Sequence, residues 1–131
     1  MTKIDISISK NSKAKMLKIK EKYNLSLTVQ IKKILDYYNN LPIEKLANIV
    51  IDEIENYVQP KDTSTITINV ESIKNEISHL RAFQTAINTK IMNLTFKNLL
   101  HFLIDRQLEK QFTLFDQSIY PANKNLQNEG K

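Results

Sequence analysis

Cysteine is absent from the 131 residues, which excludes a disulfide framework and any thiolate metal site. Glycine occurs once, at Gly130, so neither a glycine-rich phosphate loop nor a dinucleotide-binding turn can be built. Two histidines, His79 and His101, are too few to hold a metal ion by themselves and form no His-x-x-x-His pair. No cysteine nucleophile and no cluster of histidine with carboxylates stands out along the chain. No apolar run approaches the roughly 20 residues that a membrane-spanning helix needs. The first residues, Met1-Thr2-Lys3-Ile4-Asp5, lack the apolar stretch of a secretory signal. The expectation is a cytoplasmic protein with no membrane segment, no cofactor and no metal, and not an enzyme. The asparagines of Asn24-Leu25-Ser26 and Asn93-Leu94-Thr95 match a glycosylation pattern that is without meaning in that compartment.

What is present is lysine, asparagine and isoleucine. The net charge is +5 and is unevenly spread. Residues 1–40 hold nine lysines against Asp5, Glu21 and Asp36, a net +6. Residues 41–62 carry −3, residues 63–110 carry +2, and the remainder is neutral. A basic N-terminal lobe suits a phosphate backbone. An A+T-rich genome produces the same lysine-rich, arginine-poor composition, so the positions of the charges matter more than their number.

Strict alternation opens the chain: Lys3-Ile4-Asp5-Ile6-Ser7-Ile8-Ser9 has apolar residues at period two, the signature of a strand with one buried face. Asn11 or Ser12 then offers a cap for a helix to about Tyr23, with Met16, Ile19 and Tyr23 as its apolar stripe. Asn24 tolerates the left-handed conformation that ends a helix. Ser26 is an N-cap for a second helix carrying Leu27, Ile31, Ile34, Leu35 and Tyr38, and Asn39-Asn40 stops it. Pro42 opens a third helix, Ile43 to about Val58, and Gln59-Pro60-Lys61-Asp62 is a linker by composition.

The pattern then begins again. Thr65-Ile66-Thr67-Ile68-Asn69-Val70-Glu71 alternates like the first strand, and a helix from Ser72 carries Ile73, Ile77, Leu80, Ile87 and Ile91. An offset of 69 residues places Asn93 on Asn24, Thr95 on Ser26, Phe96 on Leu27, Leu100 on Ile31, Leu103-Ile104 on Ile34-Leu35 and Asp105 on Asp36. The strands align with an offset of 62, so the second copy is expected to carry seven extra residues, about two turns, in its first helix. The organisation expected is a first unit over 1–40, a connecting helix and linker over 41–63, a second unit over 64–110 and a tail over 111–131.

An alternating strand, two helices and a Leu-Ser-Leu-Thr start to the second helix resemble the ribbon-helix-helix family of bacterial DNA-binding proteins. The resemblance covers every element of 1–40, and the strand and second helix of 64–110. It implies a mostly α fold with a short two-stranded antiparallel β-ribbon, here with two copies in one chain, as in the tandem TraY-type relaxosome proteins of conjugative plasmids. It also implies a double-stranded DNA partner read through the major groove, in a plasmid or phage accessory factor of conjugation or in a transcriptional repressor. The chain would then be a pseudo-dimeric monomer or a homo-oligomer.

On that reading Lys3, Asp5, Ser7, Thr65, Thr67 and Asn69 form the outward face of the ribbon. Asn69 suits adenine, Lys3 guanine and Asp5 cytosine, with threonine methyls against thymine methyls. The bland reading of the same six is a solvated polar sheet face. The family holds a phosphate at the start of each second helix, which implies Ser26-Leu27 and Thr95-Phe96 here, helped by helix amides and dipole; as caps alone, Ser26 and Thr95 would each contribute about 1 kcal/mol. Lys10 and Lys13 are further phosphate candidates, and Lys15, Lys18, Lys20 and Lys22 read as a solvated face. His101 reads as a surface histidine, Tyr37 and Tyr38 as structural. Phe112-Thr113-Leu114-Phe115 and Ile119-Tyr120-Pro121 are apolar islands that fold back or dock on a protein such as a relaxase. The alternative function is a partition adaptor or antitoxin whose C-terminal half binds protein.

Overall fold

Isoleucines at every second position form two strands, and helix-period stripes form five helices around them. The computed structural model describes residues 3–54, 61–88 and 94–109. Along the chain these are β1 (Lys3–Ser9), α1 (Lys10–Tyr23), α2 (Leu27–Asn39), α3 (Ile43–Ile54), β2 (Thr63–Asn69), a 3-10 turn (Glu71–Ile73), α4 (Lys74–Ile87) and α5 (Phe96–Glu109). Expectations for Glu55–Pro60, for Ile91 and Asn93, and for the two tail islands fall outside the described residues.

β1 and β2 pair antiparallel as a two-stranded sheet, with Lys3 opposite Asn69, Asp5 opposite Thr67 and Ser7 opposite Thr65. Ile6, Ile8, Ile66 and Ile68 point inward and are buried, while Ile4 and Val70 are half-buried at the ends. Burial of each such side chain contributes about 1.5–3 kcal/mol, and an isolated pair of strands needs that covered face to persist in water. α1 lies against both strands, α2 against β2 and α5 against β1. α4 makes its main contacts with α2 and α5 and completes the same core through Ile77, Leu80, Phe83 and Ile87.

Helix boundaries follow local chemistry. Ser9, not Asn11 or Ser12, caps α1: the strand runs straight into the helix, Ser9 is extended at φ −68° and ψ 151°, and its hydroxyl accepts the Ser12 N–H at 3.0 Å. Asn24 ends α1 with φ 57°, the left-handed conformation asparagine accommodates. Gln30 is buried and donates from Nε2 to the carbonyls of Met16 and Leu25, which fixes the α1–α2 corner. The seven extra residues are not in a lengthened helix. α4 has 14 residues, as α1 has, and is preceded by a 3-10 turn over Glu71–Ile73.

Two long-range polar contacts tie the parts together. Tyr38 is fully buried on α2 and donates from its hydroxyl to the Leu103 carbonyl of α5 at 3.1 Å; burial pushes its pKa up to about 12, against the opposing effect of nearby Arg106. Arg106 makes a two-pronged contact with Glu53, at 2.6 and 3.0 Å, that fastens α3 to α5. Among the described residues no helix is long and apolar enough to cross a membrane.

The register yields a direct check. Cysteines at Ser7 and Thr65, which face each other, should crosslink within the monomer on oxidation, because directly opposed Cβ atoms lie near disulfide range. Non-reducing electrophoresis and intact mass should show one chain lighter by two hydrogens. Covalent dimers as the main product would place β1 against a second copy of itself instead.

Candidate nucleic-acid interface

A period-two strand sends its odd residues to one side, and here that side is the surface. Lys3, Asp5, Ser7, Thr65, Thr67 and Asn69 are all exposed on one face of the sheet. Within that face the Thr67 hydroxyl donates to Asp5 Oδ1 at 2.7 Å. Asn69 Oδ1 accepts the Glu71 N–H at 2.9 Å in a local turn that ends β2. Both contacts orient side chains that the sequence marks only as polar.

The starts of α2 and α5 are built alike. Ser26 Oγ accepts the Val29 N–H at 3.1 Å, and Thr95 Oγ1 accepts the Asn98 N–H at 3.0 Å. Both caps are exposed, with Leu27 and Phe96 half-buried behind them. The first N–H groups of a helix have no partner inside it, and the dipole there favours an anion. The α2 start is joined to the ribbon: the Asn69 N–H donates to Thr28 Oγ1 at 3.0 Å, beside the Lys3–Asn69 end of the sheet.

The lysines divide by role. Lys10 is exposed and lies 3.4 Å from Asp62, a loose surface pair that contributes little to stability. Lys13 is half-buried and donates from Nζ to the Thr65 carbonyl at 3.0 Å, so its ammonium sits at the edge of the ribbon. Lys15 does not belong to a solvated face: its Nζ donates to the Leu108 carbonyl at 2.8 Å and caps the C-terminal end of α5. Lys22 lies over the Tyr23 ring.

Arg81 was not singled out by sequence reasoning. Its guanidinium lies 4.1 Å from the centre of the Phe96 ring, at the start of α5 next to the Thr95 cap, in a cation–π stack. One available signal was its rarity, since a lysine-rich composition retained only two arginines. Thr28 was missed as well, being an ordinary helix residue until β2 comes alongside it.

His101 is a correction. It is 3% exposed rather than on the surface, and its Nε2 lies 2.8 Å from Asp105 Oδ2. Asp105 is fully buried, and its Oδ1 accepts the Ser9 N–H at 3.2 Å. The cause is the position of α5. Strand and helices surround it, so residues from Leu99 to Asp105 are buried on every side of the helix, polar ones included. Among the described residues no group of three or more histidines and carboxylates is gathered for a metal ion.

No protein-family model, curated protein or solved structure matches this chain.

Proposed function

We propose that this chain is a sequence-specific double-stranded DNA-binding protein that lays its two-stranded ribbon in the major groove, as two ribbon-helix-helix units in one polypeptide. The observation that carries the reading is the outward face: six exposed polar side chains on a ribbon whose other face is isoleucine core. A two-stranded ribbon fits the major groove, where each base pair presents a distinct set of donors and acceptors. The caps of α2 and α5, Lys10, Lys13 and Arg81 supply the contacts that hold phosphates and set the depth of the ribbon.

Pseudo-symmetry supports two units. The strand offset of 62 residues carries Asp5 onto Thr67, and the sheet pairs those same two residues. It carries Ile4 onto Ile66 and Ile6 onto Ile68, and the sheet pairs Ile4 with Ile68 and Ile6 with Ile66, as a local two-fold through Asp5–Thr67 requires. In the helices the offset of 69 carries Lys32-Asp36 onto His101-Asp105, and each sets a nitrogen-bearing side chain beside a carboxylate one turn on, at 3.0 and 2.8 Å. A sheet with one strand from each half also favours this reading over an adaptor with an independent C-terminal half. The process served is proposed to be plasmid conjugation, as an accessory protein at the transfer origin, or repression.

Selection of duplexes from a random library by the full chain, followed by footprinting, tests the proposal. The two strands differ in sequence, so an asymmetric element is expected. Asn69→Ala should cost on the order of 1–3 kcal/mol at one base position and relax preference there. A perfectly two-fold consensus that is unchanged by Asn69→Ala would remove β2 from the recognition surface.

A further inference from the structure

The contacts on the outward face consume particular atoms, and what remains has a sign. Thr67 has one hydroxyl proton, and it goes to Asp5 Oδ1. What Thr67 and Asp5 then offer outward is lone pairs, on the Thr67 oxygen and on the second carboxylate oxygen. The centre of the ribbon therefore has no donor. At the Lys3–Asn69 end the arrangement is reversed. The Glu71 backbone N–H can only donate, so the atom of Asn69 that faces it at 2.9 Å is the amide oxygen, which leaves the NH2 group free to point outward. Lys3, directly across the sheet, is an ammonium with three donors and no acceptor. Two-sided pairing of Asn69 with adenine would have to turn toward the base an oxygen that the Glu71 N–H holds by one of its two lone pairs.

We propose that the ribbon is divided by hydrogen-bond polarity, with a donor-rich end at Lys3 and Asn69 that selects guanine and an acceptor-only centre at Asp5 and Thr67 that selects a base carrying an exocyclic amino group. This rests on the proposed insertion of the ribbon into the major groove. Guanine shows N7 and O6 there, both acceptors, whereas cytosine shows the N4 amino group and adenine the N6 amino group. Guanine at the centre would set its lone pairs against a carboxylate, with neither side able to donate. The Ser7–Thr65 end carries hydroxyls, which both donate and accept, and discriminates least. Successive outward pairs are two residues apart, about 6.8 Å along a strand, which spans on the order of two base-pair steps. The guanine and the amino-bearing base are accordingly separated by about two positions.

Two charge-swapping substitutions in the full chain test this, because each keeps its structural contact. Asn69→Asp retains an oxygen for the Glu71 N–H and replaces the outward donor with an acceptor. Asp5→Asn retains an oxygen for Thr67 and adds a donor. Random-duplex selection with wild type should return guanine at one position and cytosine or adenine about two away. Asn69→Asp should lose the guanine and bind the wild-type site between about 5-fold and 150-fold more weakly, the span of one two-sided base contact. Asp5→Asn should admit guanine and thymine at the central position. Circular dichroism should stay at wild-type levels in both, and affinity for unrelated duplex should shift alike for all sequences, slightly down for Asn69→Asp and slightly up for Asp5→Asn, which separates changed specificity from lost folding. Duplex enrichment with consensus positions unmoved by either substitution, or guanine at the centre for wild type, would overturn the polarity assignment and leave major-groove reading standing. Failure of the wild-type chain to enrich any duplex would remove both.

Discussion

Asp105→Ala should lower the unfolding free energy by about 1–3 kcal/mol, the range for leaving a buried donor without its acceptor. Its repeat counterpart Asp36→Ala should cost less than about 1 kcal/mol, as exposed pairs do. The arrangement is similar in the two places, a nitrogen-bearing side chain one turn before an aspartate, on α2 and on α5. The surroundings differ. Lys32 and Asp36 are 42% and 39% exposed, so water competes with the pair and replaces it when it is lost. His101 and Asp105 are 3% and 1% exposed, and the Asp105 carboxylate also holds the N–H of Ser9, where β1 becomes α1. Alanine at 105 leaves the buried Ser9 amide without the carboxylate oxygen that accepts it. Asp105→Asn keeps one oxygen for the Ser9 N–H and should recover part of the loss. Urea denaturation of the three variants measures this, and equal costs for Asp36→Ala and Asp105→Ala would contradict the burial argument.

The second large effect is on binding. Affinity for duplex DNA should fall about 40-fold between 50 and 200 mM salt, the counterion-release expectation for about three neutralised phosphates. The candidates are Lys10, Lys13 and Arg81, placed around the ribbon and the α5 start. Lys10→Ala should lower the slope of log affinity against log salt by about one and weaken all sequences alike. Asn69→Ala should leave the slope unchanged and act at one base position. Fluorescence anisotropy across a salt series makes the comparison, and a flat salt dependence at a selected site would contradict phosphate clamping.

Much of the fold was legible along the chain because its determinants are local. A strand with one buried face needs apolar residues at every second position, and Ile4-x-Ile6-x-Ile8 and Ile66-x-Ile68 declare it whatever else is present. Ser26 and Thr95 cap helices because a hydroxyl reaches an amide three residues on, and Asn24 ends one because its own backbone permits φ 57°. Where two hydroxyl-bearing options lay close together, as with Ser9 and Ser12, the choice depended on how β1 leaves the sheet, and the sequence pointed to the wrong one.

From sequence alone came the two alternating strands, the apolar stripes and caps of α1 and α2, the polar outward face and the offsets that relate the halves. The strands, stripes, caps and outward face depend on residues within about one turn or two strand positions of each other, and the offsets only on comparing those local patterns along the chain. Tertiary structure decided the rest: that Asp5 meets Thr67, that His101 and Asp105 are interior, that Lys15 closes α5, and that Arg81 lies over Phe96. Sequence separation is the reason for most of these. Asp5 and Thr67 are 62 residues apart, Ser9 and Asp105 96, and Lys15 and Leu108 93. Whether a polar side chain faces water or a partner is settled by what packs across from it, and no local pattern carries that information.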